Sequence, residues 1–447
     1  MRLRPILATP MLSAAAFASP ALAQEGGPEF TISGDARVRA EAIDGEFRAN
    51  APNSEFFVSS RVMVDAEVDF GAIAIGGELR DSRALSIDKE SVANGGSINT
   101  LEPLQGWIAA DFGGLAGGEA RLKAGRFTQS LGSGLLVGTP GFANNIVSYA
   151  GAQFDWKAGN TRFIGFWSKP FTTLPADLAE LQDNDFELDR VTDGLTFFGG
   201  HLSQGKLVAG ASGEVYAYRL AEHDSADRAT KNRKLVTVGG RFFRKSAPGR
   251  FDFDVEAAGQ FGTVRASASA ADMNDIDVRA GFTHAQAGYT FASAWSPRIG
   301  FEIDYGSGDK ASDGHYSRFD MLYGALRILE PVGIYGPLSW SNMISPGLRV
   351  EAKPARQFDA MLGLRGNWLA SRTDSFAKTG VRDSTGQSGN YAGTQVEGRV
   401  RYWLMSKKIL IEAGAAYLAK GRFLKDAPNA PDTGDTRYGY LSVSAGF

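Results

Sequence analysis

The chain ends Arg437-Tyr438-Gly439-Tyr440-Leu441-Ser442-Val443-Ser444-Ala445-Gly446-Phe447, a stretch that alternates between two kinds of side chain. Gly439, Leu441, Val443, Ala445 and Phe447 form an apolar face, and Tyr438, Tyr440, Ser442, Ser444 and Gly446 form the other. A period of two is the signature of a β-strand. One face suits lipid and the other a wetter interior, the division expected across the wall of a transmembrane barrel.

The same alternation recurs upstream. Val62, Val64, Ala66, Val68 and Phe70 oppose Arg61, Asp65, Glu67 and Asp69, and Phe251, Phe253, Val255 and Ala257 oppose Asp252, Asp254 and Glu256. A soluble sandwich would alternate in this way too, with its charges facing water. Connection length separates the two architectures. The pattern gives eighteen strands, at 30–41, 56–69, 71–80, 104–112, 120–127, 145–157, 160–169, 191–202, 205–218, 234–244, 250–261, 278–291, 297–305, 340–352, 356–369, 391–404, 409–419 and 435–447. Tight turns at Phe70–Gly71, Lys157–Asn160, Ser203–Gln204, Lys353–Arg356 and Met405–Lys408 alternate with long connections such as 81–103, 170–190 and 306–339. Long loops at one end and short turns at the other define an up-and-down membrane barrel, whereas Greek-key crossings have no such rhythm. The expected fold is therefore all-β: a transmembrane antiparallel up-and-down β-barrel of eighteen strands.

The N-terminus agrees. Arg2 and Arg4 precede an apolar run from Ile6 to Ala18, and Pro20-Ala21-Leu22-Ala23 ends it in a small-x-small pattern, so 1–23 reads as a secretory signal peptide and 24–447 as the barrel. Loss of Arg2 and Arg4 takes the formal charge from −3 to −5, which argues against nucleic acid as a partner. With no cysteine, disulfides, thiolate metal sites and thiol catalysis are excluded. After the signal no apolar run approaches the ~20 residues of a membrane helix. A membrane location then requires a closed barrel, because in lipid every backbone group must be paired internally. The terminal Phe447 resembles the signal that bacterial outer-membrane barrels present to their assembly machinery. The expected partners are thus that machinery and outer-membrane lipids, and the expected location is the outer membrane of a Gram-negative cell.

Several segments resemble the alginate-export family of outer-membrane barrels: Glu78-Leu79-Arg80-Asp81-Ser82-Arg83; Lys123-Ala124-Gly125-Arg126 followed by Leu131-Gly132 and Gln153-Phe154-Asp155; Asp304-Tyr305-Gly306-Ser307-Gly308-Asp309; and Gln395–Tyr402 with Leu410–Gly414. The chain departs from the family in reading Ser133-Gly134-Leu135-Leu136, and in the short turn Met405–Lys408 where exporting members carry a long one. The resemblance implies an arginine-lined passive conduit for an acidic polysaccharide, without a cofactor. The short turn favours the alternative of a general or small-anion porin for nutrient uptake; a third class is an outer-membrane lipid-modifying enzyme.

Strand parity turns Arg37, Arg39, Arg61, Arg80, Arg349, Arg365, Arg399 and Arg401 inward, with Asp304 among the inward carboxylates; Arg83 and Arg126 lie at strand ends where a bulge resets parity. Guanidinium groups stay charged and bind carboxylates bidentately, so such a lining favours anions. Inward carboxylates are equally plentiful, and pairs such as Arg39/Glu41 and Glu397/Arg399 fit a wall braced by ion pairs. Trp107, Trp156, Trp368, Trp403 and Tyr402 are assigned to girdles or to a sugar path. Enzymatic chemistry has little support: His201, His223, His284 and His315 lack metal-ligand spacing, no G-x-S-x-G elbow occurs, and Asp309 with Asp313 gives an incomplete calcium pattern.

Overall fold

A computed structural model describes residues 27–226, 228–269, 271–310, 314–325, 333–336 and 338–447 of the protein; the expected signal peptide and Asp313 lie outside the described residues. Among the described residues eighteen antiparallel strands close into one barrel. They are β1 Glu29–Asp44, β2 Ser54–Asp69, β3 Ile73–Ile87, β4 Asn99–Leu115, β5 Gly118–Phe127, β6 Tyr149–Ala158, β7 Thr161–Thr172, β8 Leu195–Gln204, β9 Ser212–Glu222, β10 Lys234–Arg244, β11 Arg250–Val264, β12 Ile276–Thr290, β13 Arg298–Gly306, β14 Met343–Ala355, β15 Phe358–Trp368, β16 Tyr391–Leu404, β17 Ile409–Lys420 and β18 Thr436–Gly446. The short piece Arg190–Val191 pairs only with the end of β7.

The terminal stretch forms β18 and closes the wall. It pairs with β1 from Asp35 opposite Gly446 to Asp44 opposite Arg437. Beyond the strand, Phe447 and Gly34 exchange backbone hydrogen bonds of 3.0 and 3.2 Å. Leu441 and Val443 face outward, 53% and 44% exposed, while Tyr438 and Tyr440 are buried inside. The outer face elsewhere carries Val38, Ile75, Leu79, Ile108, Val238 and Leu362, all exposed. Water would not tolerate so continuous an apolar belt, but lipid does.

All eighteen expected strands are present, and the differences lie at their ends. The expected tight turn Ser203–Gln204 is instead a seven-residue connection, 205–211. Lys206, Ala209 and Gly210 there hold φ of 54°, 53° and 72°, and Leu207 N donates to Ala211 O at 2.8 Å. The turn expected at Lys353–Arg356 sits at Arg356–Gln357, after a register shift between Ala352 and Ala355. Strand β3 continues to Ile87, seven residues past its expected end.

Two long loops enter the bore. Residues 128–148 and the described residues of 307–342 meet where Val137 bridges Tyr323: Tyr323 N donates to Leu136 O and Gly138 N to Tyr323 O, each at 3.0 Å. Their apolar side chains, among them Leu135, Leu136, Phe142 and Phe319, pack with Phe127, Tyr149 and Phe197 of the wall into one buried cluster. A barrel of this size has room for such a core because its diameter grows with strand number.

Candidate functional site: the charged lumen and its inserted loops

The arginines of β1, β2 and β3 grip the first loop by its backbone. Arg37 donates to Gly141 O, Phe142 O and Ala143 O at 2.8, 2.8 and 2.9 Å, and to Asn144 Oδ1 at 2.7 Å. Arg39 donates to Phe142 O at 2.5 Å and lies 4.0 Å from the centre of the Phe142 ring. Arg61 reaches Ala143 O at 3.2 Å while pairing with Asp35. Arg80 reaches Asn144 O at 3.4 Å while pairing with Glu78 at 2.6 Å. Buried carbonyls need donors, and a planar five-donor fork serves several at once. These four arginines are therefore spent on the loop and its supports.

The second loop is held from the end of β1 and the segment that follows it. Glu41 accepts from Ile334 N at 3.0 Å and from Tyr438 Oη at 2.8 Å, and Arg48 donates to Ile334 O. Farther round, Asp304 lies 2.7 Å from His284 Nδ1 and accepts from Trp340 Nε1 at 3.1 Å, with Arg365 at 3.4 Å. His284 thus faces the lumen as part of a buried ion-pair network, and Trp340 ties the root of the loop to it.

The partly open charges lie on β14, β15 and β16. Arg365 and Arg349 both pair with Glu302, Arg349 at 3.3 Å. Arg399 and Arg401 both pair with Asp359, at 3.8 and 2.9 Å. The side chains of Arg349, Arg399 and Arg401 are 17%, 19% and 31% exposed. Nine strands away, across the bore, β5 and β6 carry Arg121, Lys123 and Asp155, with Asp65, Glu67 and Asp111 on β2 and β4 close by. Trp107 lies under Lys123 at 4.3 Å and Trp403 under Arg401 at 5.2 Å, so both face the lumen. Trp156, Trp368 and Tyr402 fall on the outward parity. A cavity of about 650 Å³ opens in the lumen beside Glu214, Arg241, Asp252, Arg298 and Arg349.

Two of the expected lining residues stand elsewhere. Arg83 shares the outer face of β3 with Leu79 and Asp81 and pairs with Asp81 at 2.8 Å. The slip that accompanies it is taken up by β4, between Arg80 and Ser82, so β3 keeps its own alternation and Arg83 points away from the bore. Arg126 falls out of step with Arg121 and Lys123. It closes on Glu102, on Asp189 at 3.1 Å and on Ser148 at 2.8 Å, with its guanidinium 3.8 Å from the Phe171 ring centre. There it latches the 173–194 loop, which runs back over the ends of β5 and β4 to β3, where Asn184 pairs with both backbone groups of Ala84 at 2.7 and 2.9 Å. Burial, with Glu102 adjacent, pushes the Asp189 carboxyl up to about 6.

No metal-binding cluster of three or more ligating side chains occurs among the described residues. Asp309 is occupied locally, its carboxylate accepting from Ser317 N at 3.0 Å. Sequence reasoning missed the inserted loops, the carbonyl-gripping role of the arginines and the 173–194 latch. The apolar run Leu135-Leu136-Val137 inside a long loop was the one signal available.

Solved structures share the fold at low identity. OccK2 (OpdF) of Pseudomonas aeruginosa in complex with glucuronate is similar over 94% of this chain and 96% of its own, with a TM-score of 0.58 and 12% identity. OccAB1 of Acinetobacter baumannii is similar over 94% and 96%, with a TM-score of 0.59 and 12% identity. OpdK of Pseudomonas aeruginosa with vanillate is similar over 93% and 98%, with a TM-score of 0.56 and 11% identity. No curated protein sequence matches. A family model described as alginate export matches residues 29–435, from the first strand to the loop before the last, and the chain belongs to that family.

Proposed function

We propose that this protein is an outer-membrane channel of a Gram-negative cell, passing small carboxylate-bearing solutes, sugar acids and short oligouronates in particular, by passive diffusion. The observation that carries the reading is the pairing of two inserted loops with an arginine-bearing wall. The loops occupy bore that a polymer would need. The partly open Arg349, Arg399 and Arg401 present guanidinium groups suited to carboxylates. Trp107 and Trp403 beside the lumen cations offer flat apolar surface to sugar rings. Family membership and the fold shared with the glucuronate-bound OccK2 support the same direction. The charged lumen is read as a selectivity lining, not a catalytic site.

Family membership also favours a second reading, passage of a longer anionic polysaccharide of the alginate type. Liposome swelling separates the two. With purified protein in the vesicles, glucuronate and diuronates should enter faster than glucose and maltose, and uronate chains of ten or more residues should be excluded. Equal rates for charged and neutral sugars would contradict the anionic lining; entry of the long chains would favour the polymer.

A further inference from the structure

A continuous row crosses the outer face near the long-loop end of six adjacent strands. Trp167 on β7 pairs with Phe198 on β8, Phe198 with Arg219 on β9, Arg219 with Val236 on β10, Val236 with Phe261 on β11, and Phe261 with Arg279 on β12. Trp167, Phe198 and Phe261 are 51%, 37% and 54% exposed, as interfacial girdle residues are. Arg219 and Arg279 are exposed within this girdle, and neither makes an ion pair or side-chain hydrogen bond with a described residue. Other outward arginines differ: Arg83 has Asp81 at 2.8 Å and Arg437 has Asp44 at 3.7 Å. Three strand spacings separate Arg219 from Arg279, about 14 Å. One row nearer the long loops, Lys234 adds a third cation between them, shared with Asp275 at 3.6 Å.

Cations on the lipid face are disfavoured by a cost that rises with depth and falls to about 0–1 kcal/mol at the interface. Two bare guanidinium groups at one height, separated by apolar side chains, therefore call for anions supplied by the membrane itself. The apolar row between and below them favours a lipid over a soluble phosphate. The next row inward is Gly200, Ala217, Val238, Gly259 and Gly281, with the rings of Phe163 and Phe261 lying over Gly200 and Gly259, so an apolar surface for acyl chains continues below the arginines.

We infer that Arg219 and Arg279 bind one lipid of the surrounding outer leaflet whose disaccharide headgroup carries a phosphate at each end, one phosphate per arginine. The inference rests on the outer-membrane reading above, since only a leaflet built of such lipids would supply the ligand. Guanidinium groups bind phosphate oxygens bidentately, and a rigid sugar pair spans the distance between the two arginines.

The test is native mass spectrometry of the full chain in detergent with added bis-phosphoryl lipid A, monophosphoryl lipid A or phosphatidylglycerol. The wild type should bind bis-phosphoryl lipid A at least about tenfold more tightly than either other lipid. R219Q/R279Q should lose that preference, and each single variant should retain binding at the monophosphoryl level. R437Q, on a different sector of the rim, should behave as wild type. Heat-modifiable gel migration establishes that each variant is folded. Undiminished binding by folded R219Q/R279Q, or equal binding of all three lipids by the wild type, would overturn the inference. Bilayer conductance should be unchanged in R219Q/R279Q; a wild type that fails to conduct counts against the channel reading and not against the lipid site.

Discussion

Arg39 Nε donates to Glu41 Oε1 across 2.7 Å, and this one buried pair holds both inserted loops. Arg39 takes the Phe142 carbonyl of the first loop and Glu41 the Ile334 amide of the second. The side chains are only 1% and 0% exposed, so neither charge has water to fall back on. Removing one partner of such a pair costs about 3–5 kcal/mol, because the other charge stays buried alone.

Arg39→Met should therefore loosen the loops more than it alters the wall. The absence of native cysteine allows a single reporter, Gly141→Cys carrying a spin label. Its spectrum should be the broad one of an immobilised label in the otherwise unaltered protein and gain a sharp, mobile component with Arg39→Met. Channel current should become noisier and larger. An immobile label together with unchanged conductance would remove Arg39 from the role assigned here.

The Asp189 latch gives a pH dependence with a definite sign. Its carboxyl is pushed up to about 6, above the ordinary value of 3.8. The folded protein therefore holds this proton more firmly than the unfolded chain. The burial penalty is present in full above pH 6 and is relieved as pH falls toward 4. After correction for intrinsic rates, amide exchange in 173–194 should be slower at pH 5 than at pH 7.5. Asp189→Asn should flatten that difference. Faster corrected exchange at pH 5 would reverse the sign and contradict the account.

Selectivity should respond to the carboxylate shared by two arginines. Asp359→Asn leaves Arg399 and Arg401 without it and should raise the anion-to-cation permeability ratio. Arg401→Gln should lower it. Partly exposed pairs are worth about 1 kcal/mol or less, so each change should be about fivefold at most. Reversal potentials in a salt gradient measure both, and shifts in the same direction for the two variants would contradict this assignment.

Tyr440 lies flat over Gly414 of the neighbouring strand and donates to Glu412 at 2.9 Å. A methyl group at Gly414 would occupy the space of the ring. Gly414→Ala should lower stability by about 1–3 kcal/mol, the usual cost of overpacking. Urea unfolding in lipid vesicles reads it, and Tyr440→Phe provides the smaller change expected from loss of the hydroxyl alone. A Gly414→Ala variant as stable as the wild type would show that the ring moves aside freely.

The barrel was legible in the sequence because its wall obeys a local rule. Alternation in segments such as Arg61–Phe70 and Arg437–Phe447, with loops of alternating length, gives strand number and facing without knowledge of distant contacts. Parity also placed Arg37, Arg39, Arg61 and Arg80 inward correctly. What these arginines touch was not legible, because their partners are backbone carbonyls of Gly141–Asn144, 64 to 106 residues away and bearing no side-chain signature. Arg126 escaped for a different reason: beside Gly125, at φ 127°, alternation ceases to report where a side chain can reach.

The central claim, a narrowed channel for small carboxylate-bearing sugars, is tested most directly by single-channel recording of the wild-type protein in a planar bilayer. Glucuronate added to one side should produce brief, voltage-dependent interruptions of the current, while glucose at the same concentration should produce none. Blockade by glucose as frequent as by glucuronate, or no blockade by either, would contradict it.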